Sequence, residues 1–144
     1  MSVFGNGRTV TDASVAMTVE CIDDRGVRHQ LDILLGYRRT DPYAVTMTFV
    51  TGAEDLTWTF GRDLLVHGVN LPTGYGDVHV SPSIGSNGRS VVHIELTSPD
   101  GHLILQAKAE DVTEFIARSS AVVPVGAENL EVDVDLLISQ LLES

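Results

Sequence analysis

"RDLLVHGVNLPTGYGDVHVSP", Arg62–Pro82, is where the chain changes its period, and its reading decides the fold. Two readings compete. One is a glycine loop cradling a ligand beside Arg62, Asp63, His67 and His79. The other is a helix, a turn and a strand in succession. A dinucleotide or P-loop fingerprint puts its glycine loop between a strand and a following helix, so that backbone N–H groups and a helix N-terminus meet the phosphate. Here "PTGYGD" follows "RDLLVHG", which has no period-two signal and reads as a two-turn helix stopped by Gly68. The order is reversed, and no Lys-Ser or Lys-Thr follows. The segment therefore reads as a helix-to-strand connection in which Gly74 and Gly76 turn the chain. Asp63 reads as a cap or dipole partner of the helix rather than an acid working with Arg62.

Upstream, apolar residues alternate with polar ones, as half-buried strands require. Val15, Met17, Val19 and Cys21 share one face, and after the turn at Asp23–Gly26 so do Val27, Leu31, Ile33, Leu35 and Tyr37. A second hairpin carries Tyr43, Val45, Met47 and Phe49, then Leu56, Trp58 and Phe60, with threonines on its outer face. Downstream, strands are expected over Asp77–Ser83, Ser90–Thr97 and His102–Ala109, the last two joined by the strong turn "SPDG". Glu110–Ser120 then takes helical spacing through Val112, Phe115, Ile116 and Ser119. A last helix from Asp133 carries Leu137, Ile138, Leu141 and Leu142, with Asp133 and Asp135 favouring its N-terminus. Residues 1–13 show no apolar period and are expected as a disordered tail, leaving 14–144 as a single domain. The expected order is ββββ-α-βββ-αα: an α+β fold, a seven-stranded antiparallel barrel-like domain made of two sheet-then-helix halves around one core. The apolar faces of the last two helices need cover, part of it expected at a subunit interface.

A chain of 144 residues suits one domain with a real core. Its net charge of −11, with only nine Lys and Arg, disfavours nucleic-acid backbone binding and docking to anionic lipid. Cys21 is the only cysteine, which excludes an intrachain disulfide and a cysteine-based zinc site and fits a small core residue. No stretch reaches the length of a membrane span, and the start lacks a charged-then-apolar leader, so a cytosolic protein without membrane insertion is expected.

The remaining chemistry is sparse. A hairpin centred near Ser86 would set His79 opposite His93 and Asp77 opposite Glu95, a set of zinc-ligand types. It would also oppose two carboxylates, and a polar surface is the simpler reading. No G-x-S-x-G elbow gathers a nucleophile with a base. The aromatics fall mostly on inward faces, whereas a base-stacking platform wants them outward among basic residues. No enzyme, cofactor or metal is expected.

Several blocks carry more information. "TDPYAVTMTF" (Thr40–Phe49), "TWTFGRDLLVHGVNLPTGYGDVHVSPS" (Thr57–Ser83) and "LTSPDGHLILQA" (Leu96–Ala107) resemble the SsgA-like family of actinomycete sporulation and cell-division proteins, and "DLLISQLLES" resembles its SsgB branch. The resemblance runs from about Val15 onward. It implies a Whirly-like, bell-shaped barrel with helices and a homotrimer. It also implies a non-enzymatic adaptor in sporulation-specific cell division, helping to select septum sites and localise the tubulin-like protein FtsZ together with an SsgA-like paralogue. The alternative, a single-stranded nucleic-acid-binding protein, rests on the Whirly-like fold alone. Arg62, His67 and Tyr75, expected exposed in the opening stretch, are the candidate partner-binding residues.

Overall fold

The period change at Gly61 marks a real boundary. In the computed structural model, which describes residues 11–143 and for 130–135 and 143 the backbone alone, β4 ends at Gly61 and a helix begins at Arg62. Four strands precede it: β1 (Ala13–Ile22), β2 (Arg28–Tyr37), β3 (Ala44–Val50) and β4 (Leu56–Gly61). Helix α1 (Arg62–Gly68) leads to β5 (Thr73–Tyr75), β6 (Val78–Ile84), β7 (Ser90–Ser98) and β8 (Gly101–Lys108). Helices α2 (Ala109–Val122) and α3 (Glu128–Glu143) complete the chain.

All eight strands form one antiparallel sheet in the order β4-β3-β2-β1-β8-β7-β6-β5. The register follows the alternation: Met17 pairs with Ile33, Leu35 with Met47, and Ile94 with Leu105. Their side chains share the inner face and make one core with Leu65, Val112 and Phe115. Turn chemistry fixes the first hairpin, because Asp23 Oδ1 accepts the N–H groups of Arg25 (2.9 Å) and Val27 (3.0 Å). The two four-strand halves meet along a short seam, Glu20–Ile22 of β1 against Gln106–Ile104 of β8. Helix α2 packs on both halves beside that seam, and Arg118 Nη1 donates to Ser14 O of β1 (2.9 Å).

The α+β class holds, and the barrel-like sheet is a curled half-barrel with eight strands where seven were expected. The additional strand, β5, has three residues and a central glycine, too short to show alternation. Strands β4 and β5 are the two edges, and α1 spans between them where ladder hydrogen bonds would have closed a barrel. Three residues expected inward, Val27, Tyr43 and Leu56, are exposed because each sits at a strand end beside a turn. Of the tail expected over 1–13, residues 1–10 lie outside the described residues. Residues 11–13 join the fold: Asp12 N–H donates to Tyr37 O (2.8 Å), Arg39 N–H donates to Asp12 Oδ2 (2.7 Å), and Ala13 opens β1. Helix α3 begins at Glu128 rather than Asp133, so Asp133 and Asp135 fall inside it and not in its first turn.

Candidate functional site

Arg62 was expected at the surface, and the structure buries it. Its side chain is 1% exposed. The guanidinium lies 4.6 Å from the centroid of the Tyr37 ring, a cation–π contact. Nη1 donates to Val123 O (2.7 Å) and to Ser119 Oγ (3.4 Å) at the end of α2, and Nη2 pairs with Glu128 Oε2 at the start of α3 (2.7 Å). Nε alone has no hydrogen-bond partner. A charge this deep must be paired or it is very costly. Arg62 therefore ties the sheet, α2 and α3 together, and it is not available to touch a partner. Burial opposes charging Glu128, but the hydrogen bond and charge of Arg62 outweigh it and hold the carboxyl below its usual value.

The rest of α1 follows from close approach. Gly68 is helical and buried, and a Cβ there would run into Val80 of β6. It ends the helix as expected, and the contact with Val80 leaves no room there for a side chain. Of the two glycines expected to turn the chain, Gly76 does so, with φ at +61°. Gly74 lies within β5, opposite His79. Asp63 makes no capping hydrogen bond and stands exposed in the first turn, facing the helix dipole only.

His67 and Tyr75 are exposed, on α1 and on the edge strand β5 packed beside it. Between them Leu71, which sequence reasoning missed, is also exposed. A lone apolar residue in a turn segment has no period to betray it. The structure thus keeps two of the three candidate residues at one end of the sheet and withdraws the third.

The paired-histidine arrangement fails on register. The β6–β7 hairpin centres on Asn87, so His79 faces Glu95 and His93 faces Ser81. His93 Nε2 instead meets Gln106 Oε1 at 3.0 Å, and His102 Nε2 lies 3.4 Å from Glu95 Oε2. Among the described residues no group of three His, Cys, Asp or Glu could hold a metal ion. Cys21 is buried, and burial first, then the charge of Asp23, pushes its thiol above the usual value. That marks a core residue rather than a nucleophile. An apolar cavity of 370 Å³ opens beside Leu56, Trp58 and Leu103, and a polar groove of 840 Å³ lies over Gln30, Gln106 and Lys108.

Fold and site together define an α+β half-barrel domain whose most deeply buried polar cluster among the described residues is structural. Residues 31–128 match the model of the family described as Streptomyces sporulation and cell division protein, SsgA, and the chain belongs to that family. It is 48% identical over 109 residues to the sporulation-specific cell division protein SsgB of Streptomyces coelicolor, covering 75% of this chain and 79% of the relative. It is 38% identical over 136 residues to the SsgB of Kineococcus radiotolerans, covering 94% and 81%. Among solved structures, the SsgA-like sporulation-specific cell division protein of Thermobifida fusca superposes with a TM-score of 0.79 at 31% identity over 92% of this chain and 98% of that one. A structure reported for SsgB of Streptomyces coelicolor, in which mutations correlate to longitudinal cell division during sporulation, gives 0.74 at 38% identity over 87% and 98%. Among the described residues no helix is long and apolar enough to cross a membrane.

Proposed function

We propose that this chain is a non-enzymatic adaptor of sporulation-specific cell division. It helps select septum sites and localise FtsZ, acting from the cytoplasm at the division septum with an SsgA-like paralogue, as a homotrimer. The observation that carries this reading is the likeness to SsgB proteins across most of both chains, in sequence and in fold. The burial of Arg62 supports it as well, because the most distinctive string of the chain then serves architecture and leaves His67, Leu71 and Tyr75 to face a partner. The test is a fluorescently tagged copy imaged beside FtsZ in sporulating hyphae, repeated in a deletion strain. Co-localisation, and loss of FtsZ ladders on deletion, is the expected result; normal ladders without the protein would overturn it. Light scattering of the purified chain tests the trimer, and a monomer mass removes it.

A further inference from the structure

The turns after β1, β3 and β7 lie at one end of the sheet, and α1 and α2 leave from the other. At the turn end the inner face is only partly covered. Leu31, Trp58 and Leu103 are half-buried there, and Leu56 is 58% exposed. With Phe49 and Leu96 they line the apolar cavity of 370 Å³. The cavity borders β4, an edge strand. Arg62 N–H donates to Tyr43 O (2.8 Å), in register with the β3–β4 ladder. Antiparallel pairing alternates, so Leu56, Trp58 and Phe60 turn their main-chain groups towards β3, and Thr57 and Thr59 turn theirs to the open edge. Both threonines are exposed. Leu56–Gly61 carries neither a charge nor a proline, the residues that commonly blunt such an edge.

An unguarded edge beside an apolar cavity suits strand addition. Main-chain hydrogen bonds hold an extended peptide, and its alternate side chains enter the cavity. The sheet edges of a second copy do not serve. Pairing β4 with β4 makes a two-fold contact, which the proposed homotrimer does not contain. β5, the other edge, has three residues and α1 packed beside it. Charge narrows the occupant further. The three turns carry Asp23, Asp24, Glu54, Asp55 and Asp100 against Arg25, and among the described residues no Lys or Arg lines the cavity. We propose that β4 receives an extended segment of a different protein, in which aromatic or aliphatic residues alternate with lysine and arginine. The proposal rests on the adaptor reading and adds the class of partner to it.

The test uses the full chain and a short labelled peptide of alternating leucine and lysine. Fluorescence anisotropy is expected to show it binding about tenfold more tightly than the same peptide with glutamate for lysine, the gap closing as salt rises to about 0.5 M. Methylating the backbone nitrogens of one alternate set of peptide residues is expected to abolish binding, and methylating the other set to leave it, because only one set faces β4. Hydrogen exchange at the Thr57 and Thr59 amides is expected to slow when the peptide is added. Thr57→Pro removes an outward N–H, so it is expected to abolish binding while leaving the thermal melt in place. Leu56→Ser, at an exposed position of the cavity wall, is expected to weaken binding even if the proline variant does not fold. Glu54→Lys with Asp100→Lys is expected to reverse the preference between the two peptides. Equal binding of the lysine and glutamate peptides, equal effects of the two methylation sets, or unslowed exchange would overturn the proposal. So would a photocrosslinker at position 57 that traps this chain itself in sporulating hyphae. Normal FtsZ ladders in the deletion strain remove the adaptor reading and leave the peptide binding intact. Lost ladders with no peptide preference remove this proposal alone.

Discussion

Helices α2 and α3 look alike in sequence and differ in fate. Both are amphipathic, and both follow the last strand with only a short break between them. Yet α2 buries Val112, Phe115 and Ser119 against the sheet, while the aliphatic residues of α3 from Leu136 onward face outward. The difference lies in position. The seam between the half-sheets is short, and α2, leaving β8 directly, covers the core beside it. By the time the chain reaches α3, that surface is taken. An apolar stripe says that a helix has a partner; it does not say whether the partner is in the same molecule.

The strongest way to break this contrast is to empty the α2 side. Phe115→Ala is expected to cost about 3–5 kcal/mol in urea unfolding, the range for truncating a buried aromatic. The change at α3, Leu137→Ala, is expected within about 0.5 kcal/mol of the parent, as for exposed sites. A large loss there would mean that α3 is packed on its own domain.

Arg62 joins the two helices, so cutting it should couple them. Arg62→Met leaves Glu128 without its counter-charge and the Val123 carbonyl without its donor, at a cost of about 3 kcal/mol. Adding Glu128→Leu should restore most of that loss, since an apolar pair can replace an ion pair. Failure of the double variant to recover would show that the hydrogen bonds to α2 dominate. A smaller effect is expected from Gly68→Ala, about 1–3 kcal/mol, because the new methyl must displace Val80 across the α1–β6 contact. Thermal melting measures both.

The smallest effect is on pH dependence. The carboxyl of Glu128 titrates below its unfolded value of 4.5 in the folded chain. Its contribution is therefore present in full above that value and is lost as pH falls through the lower folded one. Melting temperature followed from pH 7 downward should fall less steeply for Glu128→Gln than for the parent in that acid window. Parallel curves would show that the pair adds no pH-dependent stability.

Much of the architecture was legible in short stretches. The seven residues Arg62–Gly68 were bounded correctly because the alternation stops at Gly61 and resumes after the glycine turn. The faces of β1 and β7 followed from alternation alone, since period two with β-branched and aliphatic residues leaves little choice of side. β5 was missed because three residues carry no period. The β6–β7 register slipped because the loop at Gly85–Arg89 allows more than one centre. Gly85 N–H to Arg89 O (2.8 Å), with Gly88 at φ +80°, selects the one observed. Of the candidate site, the exposure of His67 and Tyr75 was legible and the burial of Arg62 was not.

The sequence by itself determined the strand phases, the α1 boundary, the acidic surface and the family, because each rests on neighbours in the chain or on residue type. Only the tertiary structure decided that Arg62 is a core tie, that the sheet stays open and that Leu136, Leu137 and Ile138 of α3 are exposed. Those outcomes depend on which surfaces meet. Arg62 and Glu128, far apart along the chain, form a pair that no local pattern announces. The opening stretch thus holds the domain together through its arginine and faces outward through its histidine and tyrosine, a division that burial alone makes.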